Sequence, residues 1–165
     1  NNANALPTPR RGYQSGKRKY KRKDKRDVSV NESERGKGKF DVLIKANDLA
    51  VYTIRITKNP KIFLPEYQTA LTNDIIHTAK EIFTKAWTAN NIRVGDEPRN
   101  WLARKKLQQE AARECNNLLA LIQMAKPLYH LTSKRVKYWG QKTIEVRQAL
   151  RDWNAGDTKR YGKLE

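Results

Sequence analysis

The chain has 165 residues, of which 35 are Lys or Arg and 17 are Asp or Glu, giving a net charge of +18 with 38% apolar residues and a single cysteine. One cysteine excludes an internal disulfide framework and any zinc site built on paired cysteines. No apolar run reaches the ~18 residues of a membrane helix, and neither a signal-peptide core nor a terminal lipidation motif is present, so the expectation is a soluble, intracellular protein whose partner is a polyanion.

The charge falls in two parts. Residues 1–39 carry 13 basic and 4 acidic side chains, and residues 40–165 carry 22 and 13, so each part has the same excess of positive charge. The densest stretch of the first part is Lys17-Arg18-Lys19-Tyr20-Lys21-Arg22-Lys23-Asp24-Lys25-Arg26. It has no apolar periodicity and too little hydrophobic surface to offset the entropy of ordering it, which predicts a disordered basic arm over residues 1–39 that gains structure on a polyanion. Its basic residues are candidate phosphate contacts. Tyr13 and Tyr20, set among cations, are candidate stacking residues for unpaired bases. A localisation signal or a membrane-surface patch would use the same composition, but nothing here supplies a second membrane anchor.

Residues 40–165 suffice for one domain with a core. Glycine and proline lie almost wholly in the connections, and four segments between them have helical periodicity. The first spans 40–57, with Phe40, Leu43, Ile44, Val51 and Ile54 inward, and Asn59-Pro60 stops it. Residues 51–57 are rich in β-branched side chains but continue that stripe without a hairpin partner, so they are read as helix. The second spans 66–91, with Leu71, Ile75, Ala79, Ile82, Phe83 and Ala86 inward. Asp96 is a plausible N-cap for the third, over 98–129, which displays Trp101, Leu102, Leu107, Ala111, Cys115, Leu118, Leu119, Ile122 and Ala125. Thr132-Ser133 caps the fourth, over 133–154, with Val136, Trp139, Thr143, Val146, Leu150 and Trp153 inward and Leu131 as a hydrophobic staple. Four amphipathic helices on short links predict an all-α fold, an up-down-up-down antiparallel four-helix bundle.

Catalytic chemistry finds no foothold. A di-iron bundle needs two Glu-x-x-His motifs, and the chain has two histidines: His77, which shares a helical face with Asp74 and Glu81, and His130, which has no carboxylate three residues before it. No glycine pair makes a phosphate loop, and Asp41 and Asp48 suit a solvated stripe better than an acid/base pair. Cys115 lies on an apolar stripe and reads as a buried, inert thiol. The expectation is a non-enzyme with no metal and no cofactor.

Binding is better represented. On the fourth helix Lys134, Arg135, Lys137, Lys142, Arg147 and Arg151 are offset from the apolar stripe, and Lys159 and Arg160 extend the charge, against Glu145, Asp152 and Asp157. On the third, Arg104, Lys105 and Lys106, with Arg99 and Arg113 nearby, form a second basic cluster. Both are candidate RNA-binding surfaces whose phosphate contacts would supply affinity and salt dependence. Trp101, Trp139 and Trp153 read as core or interface residues, and Trp87 borders its stripe.

Several segments resemble a known family. Residues 40–50 (FDVLIKANDLA), the link Thr57-Lys58-Asn59-Pro60-Lys61, residues 116–122 (NNLLALI), residues 134–139 (KRVKYW) and the ending Leu150-Arg151-Asp152-Trp153 are similar to the accessory variability determinant family, four-helix-bundle proteins encoded with diversity-generating retroelements. The related bundle proteins encoded in intervening sequences of large-subunit ribosomal RNA genes resemble the chain almost as well. The resemblance covers residues 40–162. It implies a cyclic homopentamer, bacterial, archaeal or phage-encoded and cytoplasmic. Such a protein binds a reverse transcriptase and its template-repeat RNA through a basic outer surface and supports mutagenic cDNA synthesis without being catalytic. The basic arm is not part of the family's usual bundle. A nucleic-acid-packaging or ribosomal-RNA-associated bundle protein is the alternative.

Overall fold

A computed structural model describes residues 37–165, with side chains from residue 41 onward. The basic arm, with its candidate contacts Lys17, Arg18, Lys19, Tyr20, Lys21, Arg22, Lys23, Lys25 and Arg26, lies outside the described residues. The described residues form four helices and no strand: α1 (Lys37–Thr57), α2 (Asn73–Asn91), α3 (Pro98–Leu128) and α4 (Ser133–Tyr161). This all-helical arrangement is consistent with a helical bundle. Each helix packs against its chain neighbours, and α4 returns to pack on α1.

The β-branched stretch of α1 is helical, as expected, but the buried face is rotated from the expected one. Val42, Ala46, Leu49, Thr53 and Thr57 form the inward line, at steps of four and three, whereas Ile44 is 46% exposed and Val51 and Ile54 are only partly buried. Hydrogen bonding explains the choice. The Trp139 indole N–H, fully buried, donates to Thr53 Oγ1 at 3.0 Å, and Thr57 Oγ1 donates to the Thr53 carbonyl at 2.8 Å. An isoleucine face would leave the indole N–H without an acceptor, at a cost of about 1–3 kcal/mol.

The second helix does not begin at residue 66. A 3₁₀ turn (Pro65–Tyr67) and a π turn (Gln68–Thr72) precede α2, and the wider turn lets adjacent Leu71 and Thr72 both face inward. The Thr72 and Tyr129 hydroxyls pair at 2.8 Å, and the Tyr129 hydroxyl also donates to the Tyr67 carbonyl at 3.4 Å, tying this corner to the end of α3. Phe63, in the link before it, is buried against Tyr129, with ring centroids 4.7 Å apart. Beyond the corner Ile75, Ala79, Ile82 and Ala86 are buried as expected, and Phe83 is at the edge.

Pro98 occupies the first turn of α3, but the cap residue is Glu97, not Asp96, and no side chain caps the end. Trp101, Ala111, Cys115, Leu118, Ile122 and Ala125 face inward as expected, joined by Arg104 and Gln108, while Leu102 is 52% exposed. The helix continues through Pro127, and His130 then reverses the chain with a left-handed φ of 50°. Thr132 caps α4, accepting the Arg135 N–H at 3.3 Å, and Leu131 beside it is buried. All six expected core positions of α4 are buried.

That helix runs seven residues past its expected end at 154, through Gly156, because its last turns have buried partners. Asp157 pairs with Arg104, Gln108 hydrogen-bonds Asp157 and Asn154, and Tyr161 lies 5.7 Å from the Trp101 ring. These contacts join the start of α3 to the end of α4. Arg147 to Asn116 repeats the pattern one step inward, and Trp139 to Thr53 joins the start of α4 to the end of α1.

Candidate nucleic-acid interface

Among the described residues, the first three turns of α4 gather four basic side chains that form no ion pair. Capping by Thr132 fixes where the helix starts, and the buried Val136 and Trp139 fix its rotation. That rotation turns Lys134, Lys137 and Tyr138 outward and leaves Arg135 half-buried beside them. Across from them, α1 contributes Tyr52. The Tyr52 and Tyr138 rings meet edge to face at 5.2 Å, and Tyr52 also packs edge-on against Trp139 at 6.4 Å. Together Tyr52, Thr132, Lys134, Arg135, Lys137, Tyr138 and Gln141 line a notch of about 540 Å³. Lys142 lies one turn on, with Nζ 5.3 Å over the Tyr138 ring and 5.9 Å over that of Tyr52.

No carboxylate among the described residues forms an ion pair with Lys134, Arg135, Lys137 or Lys142. Farther along the helix, Glu145 accepts from Gln141 and Asp152 from Gln148, not from these cations. Burial raises the Tyr52 hydroxyl above its ordinary pKa, against the opposing charge of Arg135, so it remains a neutral phenol near pH 7. The notch therefore joins apolar walls to a cationic rim.

Farther along α4, Arg147 is tied to Asn116 Oδ1 at 2.7 Å, while Arg151, Lys159 and Arg160 are exposed. Asp157, which the sequence sets against this charge, is buried, so it offsets none of it at the surface. The exposed face of α4 is accordingly more cationic than a count of its residues suggests.

The α3 cluster divides. Arg104 is not a surface residue: its side chain is 6% exposed, with Nη2 2.6 Å from Asp157 Oδ2 and the guanidinium 5.2 Å from the Trp153 ring centroid. Its stem points inward because position 104 falls on the same face as Trp101, Gln108 and Ala111. The expectation that Arg104 contacts RNA is thereby corrected. Lys105 is half-buried, pairs with Glu165 and lies 5.7 Å over Trp101, and Lys106 is exposed. The structure thus brings Lys134, Arg135, Lys137 and Lys142 together and separates them from the α3 group.

Sequence reasoning passed over Tyr52 and Tyr138. A signal for the second was present: Lys134, Tyr138 and Lys142 recur every four residues, the spacing that stacks side chains on one helix face. Tyr52 carried no such signal, since its role depends on α1 packing beside α4.

Elsewhere Trp101, Trp139 and Trp153 are buried, and Trp87 is 51% exposed against Phe83. Burial pushes the Cys115 thiol up to about 12. His77 and His130 are exposed, and no group of three His, Cys, Asp or Glu residues that could hold a metal occurs among the described residues. No helix is long and apolar enough to cross a membrane among these residues. No protein-family model, curated protein or solved structure matches the chain.

Proposed function

We propose that this protein is a non-catalytic RNA-binding accessory subunit of a diversity-generating retroelement, an up-down-up-down bundle that binds the reverse transcriptase and its template RNA. The observation that carries the RNA reading is the cluster of Lys134, Arg135, Lys137 and Lys142, which has no carboxylate partner among the described residues. Uncompensated cations on a rigid helix face attract phosphate and release its condensed counterions on binding. The reverse transcriptase and the homopentamer rest on the family resemblance.

The test is RNA affinity of the full chain across a salt series, with Lys134, Arg135 and Lys137 replaced together by Ala. The expected result is a steep fall in wild-type affinity with salt, and a log–log slope shallower by about 2 in the triple variant. Wild-type binding indifferent to salt, or an unchanged slope in the variant, would refute the reading. Co-purification with a polymerase and its RNA from the native host tests the partner.

A further inference from the structure

We propose that the Tyr52–Tyr138 notch is a subsite for one unpaired base of single-stranded RNA, with the flanking phosphates held by Lys134 and Lys137; this rests on the RNA-binding reading above and names what the site takes. Four observations converge. The notch, about 540 Å³ and open to solvent, has room for a planar base to enter beside the two rings. Two of its walls are aromatic rings, and the Tyr138 side of it is half exposed even though the adjoining Trp139 is fully buried. Its rim is cationic without a compensating carboxylate among the described residues, so the occupant carries negative charge beside an apolar, planar body. Finally, the walls are already ordered: Tyr52 is braced by Trp139, and Lys142 lies over both rings.

A nucleotide in a single strand meets all of these requirements. Its base has a π-face for the tyrosines whatever its identity, and its two phosphates reach outward to lysines one helical turn apart. A duplex does not fit, because its bases are stacked inside and would present only phosphate to the rim. The subsite therefore reads strandedness and leaves base identity largely unread.

The experiment compares two oligonucleotides of equal length and phosphate number, a 12-nucleotide single-stranded RNA of mixed A and U and its abasic counterpart. Binding to the full chain is measured by fluorescence anisotropy at fixed salt. The arm, with Tyr13 and Tyr20, is the same in every variant, so differences between variants report on the notch. Wild type should prefer the base-bearing strand, and Tyr138→Ala should reduce that preference about tenfold, the order expected for one stacked base. Tyr138→Leu, which keeps apolar bulk without the ring, should lose it equally, and Tyr138→Phe should retain it. The slope of affinity against salt should stay the same in all three. An undiminished preference in both Tyr138→Ala and Tyr138→Leu would overturn the subsite while leaving the RNA-binding reading intact. So would a lost preference accompanied by a change of molecular mass in light scattering, which would assign the notch to contact between copies of the chain. Absence of RNA binding by the wild type would overturn the RNA-binding reading itself.

Discussion

Replacing Asp157 by Ala isolates the buried polar cluster that closes one end of the bundle. The Asp157 and Arg104 side chains are 7% and 6% exposed, and Asp157 Oδ2 accepts from Arg104 Nη2 at 2.6 Å and from Gln108 Nε2 at 2.8 Å. Removing the carboxylate leaves the guanidinium buried against Trp153, with one long bond, 3.4 Å, from Nη1 to the Ile92 carbonyl; Nε has no partner to take over. An uncompensated buried charge of this kind costs about 3–5 kcal/mol. In a domain of this size that lowers the melting temperature by roughly 10–20 °C. The double replacement Arg104→Met with Asp157→Leu removes both charges and should recover part of the loss, since apolar substitutes for a buried pair are often neutral, while the buried Gln108 Nε2 still loses its acceptor. Urea and thermal unfolding followed by far-ultraviolet circular dichroism measure both quantities. RNA affinity below the transition should change less than twofold in the single variant. A stability loss under about 1 kcal/mol for Asp157→Ala would refute the reasoning. So would an Arg104→Ala variant that stays stable but loses RNA affinity, because that would return Arg104 to the surface.

Thr53→Val should cost about 1–3 kcal/mol in urea unfolding by orphaning the Trp139 indole N–H, with Thr53→Ser recovering most of it. Cys115, fully buried with its pKa raised to about 12, should resist aromatic disulfide reagents at pH 8 in the native protein and react promptly in denaturant. Burial alone would raise the Glu114 carboxyl, but the Asn117 amide at 2.9 Å and the Lys85 ammonium at 3.1 Å bring it below its ordinary value of 4.5. The folded state therefore binds that proton less readily than the unfolded one. Its contribution is present above pH 4.5 and is lost as pH falls through the depressed folded value, so the stability difference between wild type and Glu114→Gln should shrink over that window.

The fold class could be read from sequence because α2, α3 and α4 bury side chains that repeat every three to four residues, so that Ile75 to Ala86, Ala111 to Ala125 and Val136 to Trp153 announce their faces. The face of α1 could not, because it is selected by a hydroxyl that Trp139 needs from 86 residues away in sequence, and hydrophobicity alone ranks Ile54 above Thr53. The end of α4 was misplaced for a similar reason: Asn154-Ala155-Gly156 reads as a stop, and the partners that carry the helix onward sit at the start of α3. As for the site, Lys134, Arg135 and Lys137 stand out by local charge. Whether such a cation faces solvent or core depends on the helix phase around it, and this is why Arg104 looked like its neighbours Lys105 and Lys106. Tyr52 becomes relevant only once α1 and α4 lie side by side.

The helical state of residues 51–57 has a consequence for how the chain reaches its native form. Val51, Thr53, Ile54, Ile56 and Thr57 are β-branched, with χ1 freedom that a helix restricts and an extended strand tolerates. Their helicity depends on docking against α2 and α4, whose contributions come later in the chain; α4 starts some 75 residues further on. Until α4 emerges and delivers Trp139 to Thr53, this stretch has strand-favouring side chains without the partner that favours its helix. During synthesis the window of aggregation risk opens with α1 and closes with α4. Arg55 and Lys58 place charge on and beside the stretch, which disfavours aggregation by strand pairing.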